Sequence, residues 1–106
     1  MSKTGSPALK FDQEKPRMEL LPTKPLLGVS RVLTFGAKKY AAHNWRGGFE
    51  YSRLIGAALR HITAFNDGED LDPESGESHI DHALCTLMFL SEQVHAKTGT
   101  DDRYKP

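Results

Sequence analysis

Three places in this chain carry residue types able to do chemistry. The first is Phe35-Gly36-Ala37-Lys38-Lys39-Tyr40-Ala41-Ala42-His43-Asn44-Trp45-Arg46-Gly47-Gly48. An amide (Asn44), a large π-surface (Trp45) and a guanidinium (Arg46) follow two lysines there, a set suited to stacking a base and pairing with phosphate oxygens. The plainer alternative is that Lys38 and Lys39 answer a helix C-terminal dipole and Trp45 anchors a polar loop. The second place is Arg53 and Arg60, seven apart with Gly56 and Ala57 between them. They leave space for an anionic ligand, or form a solvated basic face pairing with Asp67. Beside them His61 shares an apolar stripe with Leu54, Ala58 and Phe65, where a lone histidine is commonly a hydrogen-bonded core residue. The third place is the stretch 67–77, with six acids in eleven residues, which runs into Ser78-His79-Ile80-Asp81-His82. His79 and His82, three apart, neighbour each other on one helix edge. Carboxylates just ahead of them suit Mg²⁺, and imidazole shifts the preference toward Mn²⁺. Otherwise Asp72 caps a turn at Pro73 and the remaining acids are loop charges near a helix N-terminus. Asp81 reads as a capping residue pointing away from the apolar stripe, outside the site.

Elements must position these groups, and 106 residues allow one domain, 1–106. Fourteen basic and fourteen acidic residues give zero net charge, which argues against coating nucleic acid or an anionic membrane. The single cysteine, Cys85, permits no intrachain disulfide and fits a reducing compartment. Met1 to Lys10 lacks the apolar run of a signal peptide, and no stretch approaches a membrane span, so the expectation is a soluble, cytoplasmic protein. Four of six prolines fall in the first 25 residues, marking residues 1–24 as an irregular arm that Leu9, Phe11, Met18, Leu20 and Leu21 pin to a core. Residues 98–106 read as a flexible polar tail.

The helical core, 25–97, holds three periodic segments. The first spans about Pro25 to Tyr40, with Leu26, Val29, Val32, Leu33 and Tyr40 at helical spacing. The second spans about Ser52 to Asn66, striped by Leu54, Ala58, Ile62 and Phe65 and stopped by Asp67-Gly68. The third spans about Ser78 to Lys97, capped by Ser78 with Asp81 and followed by Gly99. Its inner stripe reads Ile80, Ala83, Leu84, Leu87, Leu90 and Val94, and Cys85, Met88 and Phe89 point elsewhere. No segment alternates as a strand. The expected class is a small all-α domain of three to four helices. A third helix with so little polar surface asks for cover on several sides, which a homo-oligomer, dimer or tetramer, supplies by completing a helical bundle. The chain has no adjacent His-Asp pair, no phosphate loop with Gly-Lys-Ser/Thr and no dinucleotide fingerprint. Cys85 lies mid-helix among apolar residues, a poor place for a nucleophilic thiolate.

Taken together, several motifs resemble the phage dATP/dGTP diphosphohydrolase family over roughly residues 10 to 95. They are Lys10-Phe11-Asp12, Lys15-Pro16-Arg17, Leu20-Leu21-Pro22, Val32 to Tyr40, His43-Asn44-Trp45-Arg46, Ala58-Leu59-Arg60-His61, Gly68-Glu69-Asp70, Asp72 to Gly76, and His79 with His82-Ala83. That family is grouped with the all-α, MazG-like nucleoside triphosphate pyrophosphohydrolases. The resemblance implies an oligomeric helical enzyme that uses Mg²⁺ or Mn²⁺ to cut purine dNTPs into dNMP and pyrophosphate, adjusting a phage nucleotide pool. It implies a metal near Glu69, Asp72, His79 and His82, with Glu69 and His61 in catalysis and His61 orienting a phosphate oxygen or water. Lys38, Lys39, Arg46 and Arg60 would neutralise phosphate charge, Trp45 stack on the purine and Asn44 read an edge of base or sugar. The sequence departs from the superfamily, which sets Glu-x-x-Glu on one helix and Glu-x-x-Asp on the next. Here the third helix offers His79-x-x-His82 in about that place, and the second has no carboxylate before Asp67. The rival reading is a non-catalytic helical adaptor that binds nucleotide or a host factor, with the third helix as interface and the acidic loop as partner surface.

Overall fold

The computed structural model describes residues 7–106, so part of the arm and of the Met1–Lys10 segment lies outside the described residues. Three helices build the domain: α1 (Thr23–Lys39), α2 (Tyr51–Asn66) and α3 (His79–Ala96). Short 3-10 turns lie at Met18–Leu20 and Asn44–Gly47. Among the described residues there is no strand, only two isolated bridges, Glu50 with Thr100 and Leu71 with Ser78. The all-α class therefore holds, with each helix within two residues of its expected start.

The caps explain those boundaries. Ser78 Oγ accepts the backbone N–H of Ile80 at 3.1 Å and of Asp81 at 3.3 Å, starting α3 as its sequence indicates. At the end of α2, Asp67 N–H reaches Thr63 O at 2.9 Å and Glu69 N–H reaches Ala64 O at 3.0 Å, with Gly68 in a left-handed conformation. Lys97, not Gly99, takes the left-handed position that ends α3.

The tail after Lys97 has a structural task. Thr100 O accepts Tyr51 N–H at 2.9 Å, and Thr100 N–H donates to Phe49 O at 3.1 Å. Asp102 Oδ1 accepts Ser52 N–H at 2.8 Å, and its other oxygen takes the Ser52 hydroxyl. A carboxylate from the far end of the chain thus caps the N-terminus of α2, which its own N-cap residue Glu50 leaves without a side-chain bond. Gly99 permits this: it sits at φ 73°, and a Cβ there would stand 2.6 Å from Phe49 O. Where α3 ends, Gln93 completes the junction. Its side chain is buried, and its Oε1 accepts Phe49 N–H at 2.8 Å.

The packing corrects the expected inward faces. Val29 and Val32 of α1 bury with Cys85 of α3, and Leu33 and Phe89 pack against them. Leu54 and Ala58 of α2 and Ala83 of α3 are also buried. Cys85, read as pointing away from the core, is 2% exposed, whereas Leu84, Leu87 and Val94 of the expected inner stripe are exposed. The helix is turned so that His79, His82, Cys85, Phe89 and Gln93 face the other elements. Ile62 and Phe65 of α2, also expected inside, lie at the surface. Asp81 differs from expectation as well: Gly28 of α1 leaves room for its carboxylate, which a Cβ at that position would meet. In the arm, Leu9, Phe11, Met18 and Leu20 are strongly exposed and do not pin it to this core. No described helix is long and apolar enough to cross a membrane.

Candidate active site

A cleft of about 650 Å³ opens between the C-terminal half of α1, the Asn44–Gly47 turn, α2 and α3. Eight of the eleven residues expected to bind nucleotide or metal or to act in catalysis line it: Lys39, Asn44, Trp45, Arg46, Arg60, His61, Asp72 and His82. Its volume lies in the range of small-molecule sites, on the order of 300–1,000 Å³. The other three do not line it. Lys38 projects from α1 one residue out of phase with Lys39, and Glu69 and His79 stand behind His61. Arg53 is also absent from the lining, so the pair of guanidiniums reduces to Arg60.

One wall is the loop after α1. His43 adopts a left-handed conformation (φ 64°), which turns the chain into the Asn44–Gly47 turn. Its Nδ1 accepts Arg46 Nε–H at 3.0 Å. The Arg46 guanidinium lies over the Trp45 ring, 4.4 Å from its centroid, and the Phe89 ring stacks on Trp45 at 4.6 Å and 14°. Trp45 is thus a half-buried platform seated on α3, currently covered by a cation.

The opposite wall is ionisable. The rings of His61 and His82 stack at 4.6 Å and 8°. Asp72 Oδ2 accepts the Ser75 hydroxyl at 3.1 Å and Ser75 N–H at 3.2 Å, and it stands 3.5 Å from His82 Nε2. Ser75 Oγ lies 2.6 Å from His82 Nε2. Asp72 therefore does cap its turn, and it also faces the cleft. Its Oδ1 takes part in none of these bonds. Lys39 Nζ pairs with Glu74 Oε2 at 2.5 Å, whereas Arg46 and Arg60 form no ion pair among the described residues. Ser75, Glu74, His43 and Phe89 were missed from sequence. Asp72 and Ser75 at i and i+3 around Pro73 were the available turn signal, while the other three contacts are long-range or rest on a backbone conformation.

Electrostatics follow from burial. Burial, then the neighbouring His82 and His79 rings, holds His61 below the ordinary 6.5. Burial also lowers His82, outweighing the nearby Asp72 carboxylate. Burial pushes the Asp72 carboxyl up, but the Ser75 hydroxyl and N–H overcome it and hold Asp72 below its ordinary value. The Glu74 carboxylate, then the Tyr40 hydroxyl, raises Lys39, so it stays cationic. Burial pushes the Cys85 thiol up to about 11, in keeping with an unreactive residue.

These directions set the acid response. A histidine lowered on folding binds fewer protons than in the unfolded chain, so its penalty appears as pH falls through the unfolded value of 6.5. Asp72 adds stability that is present above 3.8 and lost as pH falls below it. The melting temperature is expected to hold above about pH 7, sag below about 6.5 and drop faster below about 4. Circular-dichroism melts across that range check this, and a flat profile down to about pH 5 would contradict it.

A divalent-cation cage of Glu69, Asp72, His79 and His82 is not assembled. Both His79 ring nitrogens are engaged, by His61 and by Glu69, and among the described residues no group of three His, Cys, Asp or Glu side chains is placed to hold a metal.

The profile of the family described as dATP/dGTP diphosphohydrolase, N-terminal, matches residues 5–103. A curated protein of Salmonella phage PMBT28 named dATP/dGTP diphosphohydrolase is 36% identical over 95 residues, covering 90% of this chain. The chain spans 32% of that relative's length. No solved structure matches.

Proposed function

This chain belongs to the dATP/dGTP diphosphohydrolase N-terminal family, and on that premise we propose that its cleft binds a purine deoxynucleoside triphosphate and hydrolyses it to dNMP and pyrophosphate. The observation that carries this reading is the convergence of Lys39, Arg46 and Arg60 with the Trp45 platform on one cleft whose other wall is His61, Asp72 and His82. The purine takes the place of the Arg46 guanidinium over Trp45, with Asn44 at its edge. The displaced Arg46 joins Arg60 and Lys39 on the phosphates, where fixed cations stabilise the charge that develops on transfer. Water attacks the α-phosphorus and its proton passes to His61. The new P–O bond forms as the bridge to the β-phosphate breaks, and pyrophosphate leaves.

Mg²⁺ or Mn²⁺ fits here as a companion of the triphosphate rather than as an occupant of a protein cage. Asp72, with Oδ1 outside the turn's hydrogen bonds, would be its protein ligand, since Mg²⁺ sites often combine one or two carboxylates with substrate phosphates. Such an ion supplies further neutralisation of phosphate charge. The acting assembly is a homo-oligomer: Leu59, Ile62 and Phe65 of α2 and Leu84, Leu87 and Val94 of α3 leave an apolar surface that a second copy would cover. Light scattering is expected to give at least a dimer, and Leu87→Glu a monomer. A free nucleotide substrate supports a cytoplasmic activity, in the host's cytoplasm if the chain is phage-encoded.

The test is pyrophosphate release from each of the four dNTPs with Mn²⁺ or Mg²⁺, beside melting curves with a non-hydrolysable dGTP analogue. Purine dNTPs are expected to be cut, and the analogue to raise the melting temperature, because a ligand of the folded state stabilises it. No release and no shift with any nucleotide would leave the adaptor reading. A finer prediction concerns Glu74, which holds Lys39. Glu74→Gln frees that ammonium for phosphate and is expected to tighten dGTP binding a few-fold by calorimetry; weaker binding would place Glu74 on the substrate side.

A further inference from the structure

Behind the cleft, two residues that do not line it form an unbroken hydrogen-bonded chain with His61. His61 Nδ1 stands 2.9 Å from His79 Nδ1, and His79 Nε2 stands 2.6 Å from Glu69 Oε1. His79 is 4% exposed, the most buried of the histidines and carboxylates around the cleft, yet both of its ring nitrogens are satisfied. The Glu69 side chain is 55% exposed. The order of donors along this chain follows from the end group. An ionised carboxylate only accepts, so the proton between His79 and Glu69 belongs to His79 Nε2. In a neutral imidazole the other nitrogen is then a bare acceptor, so His79 Nδ1 receives its bond and His61 Nδ1 must donate it. His61 is left with a bare Nε2.

We propose that Glu69 and His79 are positioning residues that hold His61 as its Nδ1–H tautomer, leaving Nε2 as the nitrogen able to accept a proton in the cleft. The consequence for water activation rests on the hydrolytic reading above; the tautomer itself does not. This gives the first acid of the Gly68-Glu69-Asp70 stretch and the first histidine of the His79-x-x-His82 pair a task other than binding metal. Stacking of His82 on His61 restrains the same ring from its flat side. A free imidazole favours the opposite tautomer, so removing the acceptor at residue 69 must be felt two rings away.

Long-range ¹H–¹⁵N correlation spectra of the full chain, labelled at histidine and recorded well above the ordinary histidine pKa, read which nitrogen of each ring carries the proton. His61 is expected to show a protonated Nδ1 and a bare Nε2, and His79 the reverse. Glu69→Ala is expected to move His61 toward the Nε2–H form, and Glu69→Gln, whose side-chain oxygen still accepts, to keep the parent pattern. Glu69 lies in the exposed loop after α2, and helix content by circular dichroism confirms that these variants fold. In turnover of dGTP, Glu69→Ala is expected to lower kcat by about 10- to 100-fold with KM little changed, by analogy with the loss of an outer-shell partner of a metal-ligating histidine. A His61 ring protonated at Nε2 in the parent chain, or a His61 pattern indifferent to Glu69→Ala, overturns the proposal. The spectra need no turnover: a chain with the expected pattern that leaves dGTP intact upholds the tautomer and removes the reaction instead.

Discussion

His61→Asn is expected to slow pyrophosphate release from dGTP by about 10²- to 10⁴-fold, the usual contribution of a positioned proton acceptor. That range equals roughly 2.7–5.5 kcal/mol of barrier. The expectation follows from where the ring lies. His61 lines the cleft with Asp72, His82 and Arg60, and its Nδ1 is tied to buried His79. Burial and the adjacent rings lower its pKa, so it is neutral and able to accept a proton near pH 7. Asparagine retains a side-chain partner for His79 but has no basic nitrogen to offer. The loss should fall on kcat, because accepting a proton matters only as the attacking water loses one. Arg60→Ala should behave differently, raising KM as well as lowering kcat, since a guanidinium on the phosphates acts in both ground and transition states. A His61 variant that changes KM alone would make the imidazole a binding group and leave the proton without an acceptor.

The second large effect is on stability. Gln93→Leu is expected to cost roughly 1–3 kcal/mol, the desolvation penalty of a buried polar group stripped of its partner. Gln93 is 1% exposed, and its Oε1 is the acceptor for Phe49 N–H at 2.8 Å. Leucine fills similar space and brings no acceptor, so that N–H is stranded beside the junction where the tail meets the start of α2. For a domain of this size the melting temperature should fall by roughly 4–8 °C per kcal/mol. Asp102→Ala, which removes the exposed cap on Ser52, should cost less, because water can replace it. A Gln93→Leu chain melting within a degree or two of the parent would mean that the tail is not held through this residue.

The local devices were legible in the chain itself. Ser78 ahead of Ile80 and Asp81, Asp67-Gly68 after Asn66, and the apolar spacing within each segment are short-range features, and they fixed three helices to within two residues at each start. Part of the cleft's lining was legible too, because the chemistry of Lys39, Asn44, Trp45, Arg46, Arg60, His61, Asp72 and His82 is a matter of residue type. What those residues do to one another was not. Glu69 and His79 read as metal ligands because carboxylates and imidazoles close in sequence share that signature. Only the packing of α2 on α3, which sets His61 beside His79, turns them into the back of a hydrogen-bonded chain.

The rotation of α3 was likewise decided in three dimensions. Leu84 and Leu87 carry larger apolar side chains than Cys85, Gln93 and the histidines, so periodicity points the leucines inward. Yet His79 and Gln93 find partners inside and are buried, while Leu84 and Leu87 remain 39% and 45% exposed. An apolar face meant for the chain's own core and one left at its surface are the same string of residues. The tail shows the same division. Thr98 to Asp102 is polar by composition, but Gly99 at positive φ brings Thr100 and Asp102 to the open end of α2, where unpaired backbone donors await them. Periodicity and capping are properties of neighbours along the chain, so sequence determines them. Which faces meet, and which distant carboxylate caps which helix, depends on contacts between residues tens of positions apart, and those exist only once the helices have packed.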